Sequence, residues 1–91
     1  MLHRLRITRT AQRAIRQAPP RLAKEVMEII VDLCTDPHPG YSKALKLGRE
    51  LHGLHVIYVN GWRIVYQVKE DDLIVTVIAF RRRSPDPYLN L

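Results

Sequence analysis

The residues best suited to chemistry in this chain are cations that lack matching acids. In NGWRIVYQV, residues 60–68, Arg63 sits inside an apolar strand pattern just after a turn dipeptide. A second set, Arg81, Arg82 and Arg83, closes the last apolar run. Arginine keeps its charge at physiological pH, and its planar guanidinium grips a phosphate through paired hydrogen bonds. Arg63 is therefore either a solvated strand-end charge or a cation that the sheet presents to an anionic partner. Other chemistries are poorly supplied. His52 and His55 form an isolated HxxH without further ligands at metal spacing, so no metal or other cofactor is expected. Cys34, the one cysteine, excludes an internal disulfide and reads as a small buried apolar side chain.

The charge balance points the same way. Fifteen Lys and Arg against nine Asp and Glu leave a formal charge of +6, the profile of a protein that binds a polyanion. The charges are also segregated. Arg4, Arg6, Arg9, Arg13, Arg16, Arg21 and Lys24 succeed one another with no acid between them. Glu25, Glu28, Asp32 and Asp36 then follow with no base. Nucleic acid is the partner this distribution favours. No apolar run approaches the ~18 residues that would span a membrane, and the first ten residues carry no signal-peptide core. A cytoplasmic location is expected.

Ninety-one residues suffice for one small domain, and no repeat or linker divides them. LHRLRI alternates in the manner of a short edge strand. Thr8 or Thr10 can cap a helix running to about Gln17. On that helix Ala11, Ala14, Ile15 and Ala18 share one face, and Arg9, Arg13 and Arg16 another. Pro19 and Pro20 break it, and a second helix over roughly 20–34 carries Leu22, Val26, Ile29, Ile30 and Leu33 on its apolar stripe. TDPHPG ends it.

The remaining pattern is a sheet. LHVIYV and WRIVYQV flank Asn60-Gly61, a strong hairpin signal. LIVTVIAF follows the Glu70-Asp71-Asp72 turn as a third strand, apolar on both faces and so interior. The order strand, helix, helix, three-stranded antiparallel meander predicts an α+β fold, with a helical hairpin on one face of a twisted antiparallel sheet. A two-residue Asn-Gly loop sets Tyr58 opposite Arg63, Val56 opposite Val65 and Leu54 opposite Gln67. These six share one face. His55, Ile57, Val59, Trp62, Ile64, Tyr66 and Val68 occupy the other, which the helices should cover, leaving Arg63 on the less covered side.

The run GWRIVYQV…DDLIVTVIAFRRRSPDPY, preceded by KLGRELHG, resembles the RelE/ParE superfamily of type II toxin–antitoxin toxins. The likeness covers nearly the whole chain and is most specific over residues 46–88. It implies the same RelE-like α+β fold in a single toxin domain over residues 1–91. It further implies a ribosome-dependent endoribonuclease that cleaves messenger RNA without a metal, the 2′-hydroxyl attacking the adjacent phosphate. Such chemistry needs cations for the phosphorane, a base for the hydroxyl and an acid for the leaving oxygen.

By this resemblance Arg63 is the catalytic strand arginine, Arg82 the basic residue after the last strand, and Tyr88 the C-terminal tyrosine. Arg9, Arg13, Arg16, Lys46, Arg81 and Arg83 are the candidate RNA contacts. One departure stands out. RelE-like toxins carry two lysines on the strand before the turn, where this chain has Leu54 and Val56. His52, two residues further along the same face, is the candidate replacement, with Lys46 and Glu50 also in reach. Two alternatives remain open: a ParE-like toxin that inhibits DNA gyrase without cleavage, and a non-catalytic RNA-binding module of the same fold. The expected partners are the ribosome, messenger RNA and a small, acidic, partly disordered antitoxin. That antitoxin would join an otherwise monomeric toxin in a hetero-oligomer.

Overall fold

The computed structural model describes residues 2–44 and 53–82. In chain order it has β1 (Arg4–Ile7), α1 (Arg9–Gln17), α2 (Pro20–Asp32), β2 (Lys43–Ala44), β3 (Leu54–Val59), β4 (Trp62–Lys69) and β5 (Ile74–Arg82). The strands form one five-stranded sheet ordered β1-β5-β4-β3-β2. The sequence pattern predicts an antiparallel sheet, and β3, β4 and β5 obey it. β1 instead runs parallel to β5, with Leu5 opposite Val75 and Ile7 opposite Val77. The sheet is therefore mixed. β1 and β5 are separated by both helices and the meander, a connection long enough to let two strands run the same way.

Local chemistry sets the element ends. Thr8 caps α1, its Oγ1 accepting from the Ala11 amide at 3.2 Å. The same hydroxyl donates to the Ile78 carbonyl at 2.9 Å and so ties the helix start to β5. α2 begins with Pro20, whose missing N–H costs nothing in the first turn. Asn60 and Gly61 have φ of 47° and 79°, as the two central positions of a type I′ turn require. Every cross-strand pair of the hairpin then falls as that turn dictates, from Val59–Trp62 to Leu54–Gln67.

One sheet face meets the helices. Ala11, Ile15 and Ala18 from the α1 side join Leu22, Val26, Ile30 and Leu33 from the α2 side. They bury Ile57, Val59, Ile64, Tyr66, Val68, Val75, Val77 and Phe80. Tyr66 is fully buried, and its hydroxyl donates to the Pro37 carbonyl at 2.9 Å. Having spent its proton there, it must accept from Ser42 Oγ at 2.6 Å. The segment after α2 is thereby tied to the middle of the sheet. No helix among the described residues is long and apolar enough to cross a membrane.

Candidate functional site

The other sheet face is where the cations gather. Strand alternation and the observed registers place Arg4 and Arg6 of β1, Lys43 of β2, Arg63 and Lys69 of β4, and Arg81 of β5 on it. None of the five strands contains an acidic residue. A small apolar patch of Val56, Val65 and Ala79, with Ile78 beside it, lies among these charges. The result is a flat, anion-seeking surface on the side of the sheet away from the helices.

Arg63 occupies its middle. β4 is the central strand, and Arg63 stands between Tyr58 on β3 and Arg81 on β5. The face is the expected one, but the expected exposure is not found: Arg63 is only 9% accessible. Alternation fixes a side chain's face and says nothing of its depth, and neighbours on both flanks enclose a central-strand residue. Its Nε and Nη2 are buried and have no hydrogen-bond partner among the described residues. A buried guanidinium with idle donors is costly to keep. It is also a ready receptor for a phosphate.

The arginines after β5 are sorted by a bulge. The register shifts between Val65 and Tyr66, which pair with Ala79 and Val77, so Ile78 is an extra residue. In an unbroken strand with Val75 and Val77 facing the helices, Arg82 would share a face with Arg63. The extra residue reverses the alternation. Arg81 now stands opposite Arg63, while Arg82 pairs with Trp62 on the helix side, its guanidinium 5.7 Å from the indole ring. The pairing of Arg63 with Arg82 implied by the resemblance is thus replaced by Arg63 with Arg81.

The remaining candidates divide. Arg9, Arg13 and Arg16 are exposed on α1, in the layer on the opposite side of the sheet from Arg63. The structure does not bring them to the Arg63 face. His52, Lys46, Arg83 and Tyr88, and Glu50 with them, lie outside the described residues. Gly53, at φ +82°, is not extended, so the alternation that would carry His52 onto the Arg63 face stops at Leu54. Leu54 and Val56, at the positions of the family's lysines, do face the Arg63 side. Arg4, Arg6, Lys43 and Lys69 were not legible as site residues, because only the long-range strand pairing reveals that they share a face.

A second polar cluster sits at the other end of β4. Glu70 bridges His38 Nε2 at 2.7 Å and His3 Nε2 at 3.3 Å. These hydrogen bonds hold its carboxyl below the usual range. His38 meets His55 edge-on at 5.0 Å between ring centroids, and His55 stacks on Tyr66 at 5.3 Å. Burial, and then the neighbouring His38, push the His55 pKa down. No group of three or more His, Cys, Asp and Glu among the described residues is arranged to hold a metal.

The family model for the ParE toxin of the type II toxin–antitoxin system parDE matches residues 5–87. The chain belongs to this RelE/ParE toxin family. Solved structures agree with that assignment. A chain of the RelBE2 toxin–antitoxin complex from Mycobacterium tuberculosis is 27% identical, with a TM-score of 0.75 over 91% of this chain and 100% of that one. The archaeal RelE–RelB complex from Pyrococcus horikoshii gives 19% identity and a TM-score of 0.81, covering 94% and 100% of the two chains. Isolated E. coli RelE gives 20% identity and a TM-score of 0.76, covering 93% and 88%. These last two share the fold. A search of curated proteins finds no match.

Proposed function

We propose that this RelE/ParE toxin is an endoribonuclease that cuts messenger RNA in the ribosomal decoding site and so halts translation. The observation that carries this reading is Arg63, a buried guanidinium with idle donors, facing Arg81 on a sheet whose strands hold no acid. The scissile phosphate would lie over this pair. The 2′-oxygen attacks phosphorus while a base takes its proton, and the bond to the 5′-oxygen breaks as an acid protonates that leaving group. A 2′,3′-cyclic phosphate and a 5′-hydroxyl result. Arg63 and Arg81 neutralise the charge that builds on the phosphorane oxygens. Neither serves as the base, since an arginine does not deprotonate in proteins. His52 is the natural acceptor near neutral pH, with Glu50 and Tyr88 as the other candidates, Tyr88 also for the acid.

A second reading stays in play because Leu54 and Val56 make part of this face apolar. On that reading the toxin inhibits DNA gyrase by binding, as a ParE-like protein. Induced expression with parallel readouts of translation and DNA supercoiling separates the two. Arrested translation with cyclic-phosphate ends on message supports the nuclease. Intact message with impaired supercoiling supports the gyrase reading.

The relatives solved with RelB antitoxins support a cognate antitoxin here as well. Its acidic character would match the basic face, and it could also extend the sheet by adding a strand at an edge. The toxin would act in the cytoplasm.

A further inference from the structure

We infer that Tyr58 is a stacking platform for one unpaired nucleobase of a bound RNA strand, a role that rests on reading the basic sheet face as an RNA surface. The other large aromatic side chains of the described sheet are engaged inside the protein. Tyr66 is fully buried, and Trp62 stacks on Phe80 with ring centroids 4.8 Å apart. Tyr58 differs, for 43% of it is exposed on the cationic face. Arg63 stands directly opposite it across the β3–β4 pair. On the other flank, Lys43 on β2 places its ammonium 5.9 Å from the tyrosine ring centroid. An aromatic plane between two cations is the arrangement that single-strand binders use. The ring takes the base, whose π-face needs no particular sequence, and the cations take the phosphates on either side.

The surroundings fit a base. Tyr58 lines a groove of about 420 Å³ together with Tyr41, Ile57 and Val59, and Tyr41 is itself 55% exposed. The one carboxylate bordering the groove, Glu25, already accepts a hydrogen bond from Asn60 Nδ2 at 3.0 Å. A base on Tyr58 would set its own phosphate toward Arg63, so the tyrosine would fix which phosphate of the strand enters the arginine pair. A paired base has no open face to offer, which restricts the site to single strands.

The test uses the full chain and two short oligoribonucleotides of equal length and charge, one of non-pairing sequence and one with abasic sites. A 2-aminopurine in the first reports stacking. The expected result is that the wild type prefers the base-bearing strand. Tyr58→Ala should weaken binding to that strand by between about 5- and 150-fold, the usual worth of one base stacked on an aromatic ring. Binding to the abasic strand should not change. Tyr58→Phe should keep both the affinity and the quenching of 2-aminopurine, and Tyr58→Leu, which keeps apolar bulk in the strand, should lose both. If the wild type binds both strands equally, or the variants weaken both alike, Tyr58 is no platform, although the RNA face survives. If Tyr58→Ala loses only antitoxin binding, the tyrosine is a protein contact and the inference is overturned. If the wild type binds neither strand at low salt, the RNA face falls and the platform with it.

Discussion

Arg63 and Arg81 stand directly opposite one another on β4 and β5, two like charges in one cross-strand pair. Such a pair destabilises a sheet, and here one member is buried with two idle nitrogens. Nothing among the described residues offsets this. Placing an anion between the two guanidinium groups would remove both penalties at once, so the strain itself points to the ligand.

Arg63→Met should therefore stabilise the folded toxin while abolishing its toxicity. Replacing a buried, unsatisfied cation with an apolar side chain of similar length is expected to gain about 1–2 kcal/mol. In a domain of this size that corresponds to a rise of roughly 4–12 °C in Tm. Inorganic phosphate should raise the Tm of the wild type more than that of the variant. A variant that melts lower than the wild type would show that Arg63 has structural partners, and that its charge is not held in reserve.

Arg81 and Arg82 should separate cleanly. Arg81→Ala removes a cation from the Arg63 face and should weaken binding to a short RNA by roughly 10-fold, the worth of one charge-assisted hydrogen bond. Arg82→Ala should leave that affinity nearly intact. It should instead lower stability by about 0.5–1 kcal/mol through the lost contact with Trp62. Fluorescence anisotropy and a melting curve on the two variants settle the matter; the opposite ranking would mean that the bulge at Ile78 is misplaced.

That bulge shows where the sequence stops being readable. The β3–β4 hairpin was legible to the residue because Asn60-Gly61 admits one turn, and the turn fixes the register. Thr8 and Pro20 announced the helix starts, and the apolar stripe of α2 named its buried residues. LIVTVIAFRR, by contrast, is apolar on both faces, so no polarity pattern marks the extra residue that reverses its last four positions. The parallel pairing of β1 with β5 was hidden as well, since it joins segments about 70 residues apart. With it went the knowledge that Arg4 and Arg6 belong to the Arg63 face. Site residues on single local elements could be read; those assembled by distant pairing could not.

Salt dependence distinguishes the two arginine sets. For single-stranded RNA, each phosphate neutralised contributes about −0.7 to the slope of log K against log salt. Arg4→Ala and Arg6→Ala should each make the slope shallower by about that amount if their side chains meet phosphates. Arg13→Ala and Arg16→Ala, on the far side of the helix layer, should leave it unchanged for a short strand that covers the sheet face alone. If the α1 variants change the slope and the β1 variants do not, the RNA lies across the helices and the sheet face has another partner.

Stability should fall on mild acidification, and His55 should be a cause. Its folded pKa is lowered, chiefly by burial and then by His38, with Glu70 acting in the opposite direction. The unfolded chain's imidazole takes up its proton near pH ~6.5. Between that pH and the lower folded pKa, the unfolded state holds more protons, so stability drops as pH falls. The contribution is complete above ~6.5 and is lost as pH passes down through the folded value. Glu70, also depressed, adds a second loss at lower pH, beginning below its ordinary value of ~4.3 as the carboxyl leaves His38 and His3. His55→Phe keeps a ring to stack on Tyr66 and removes the titration. Urea midpoints taken at constant ionic strength should therefore decline between about pH 7 and pH 5 in the wild type and stay flatter in this variant. Glu70→Gln should flatten the lower limb alone. An unchanged upper limb in His55→Phe would assign that loss to another group and leave the His55–Tyr66 stack a packing contact without a titrating role.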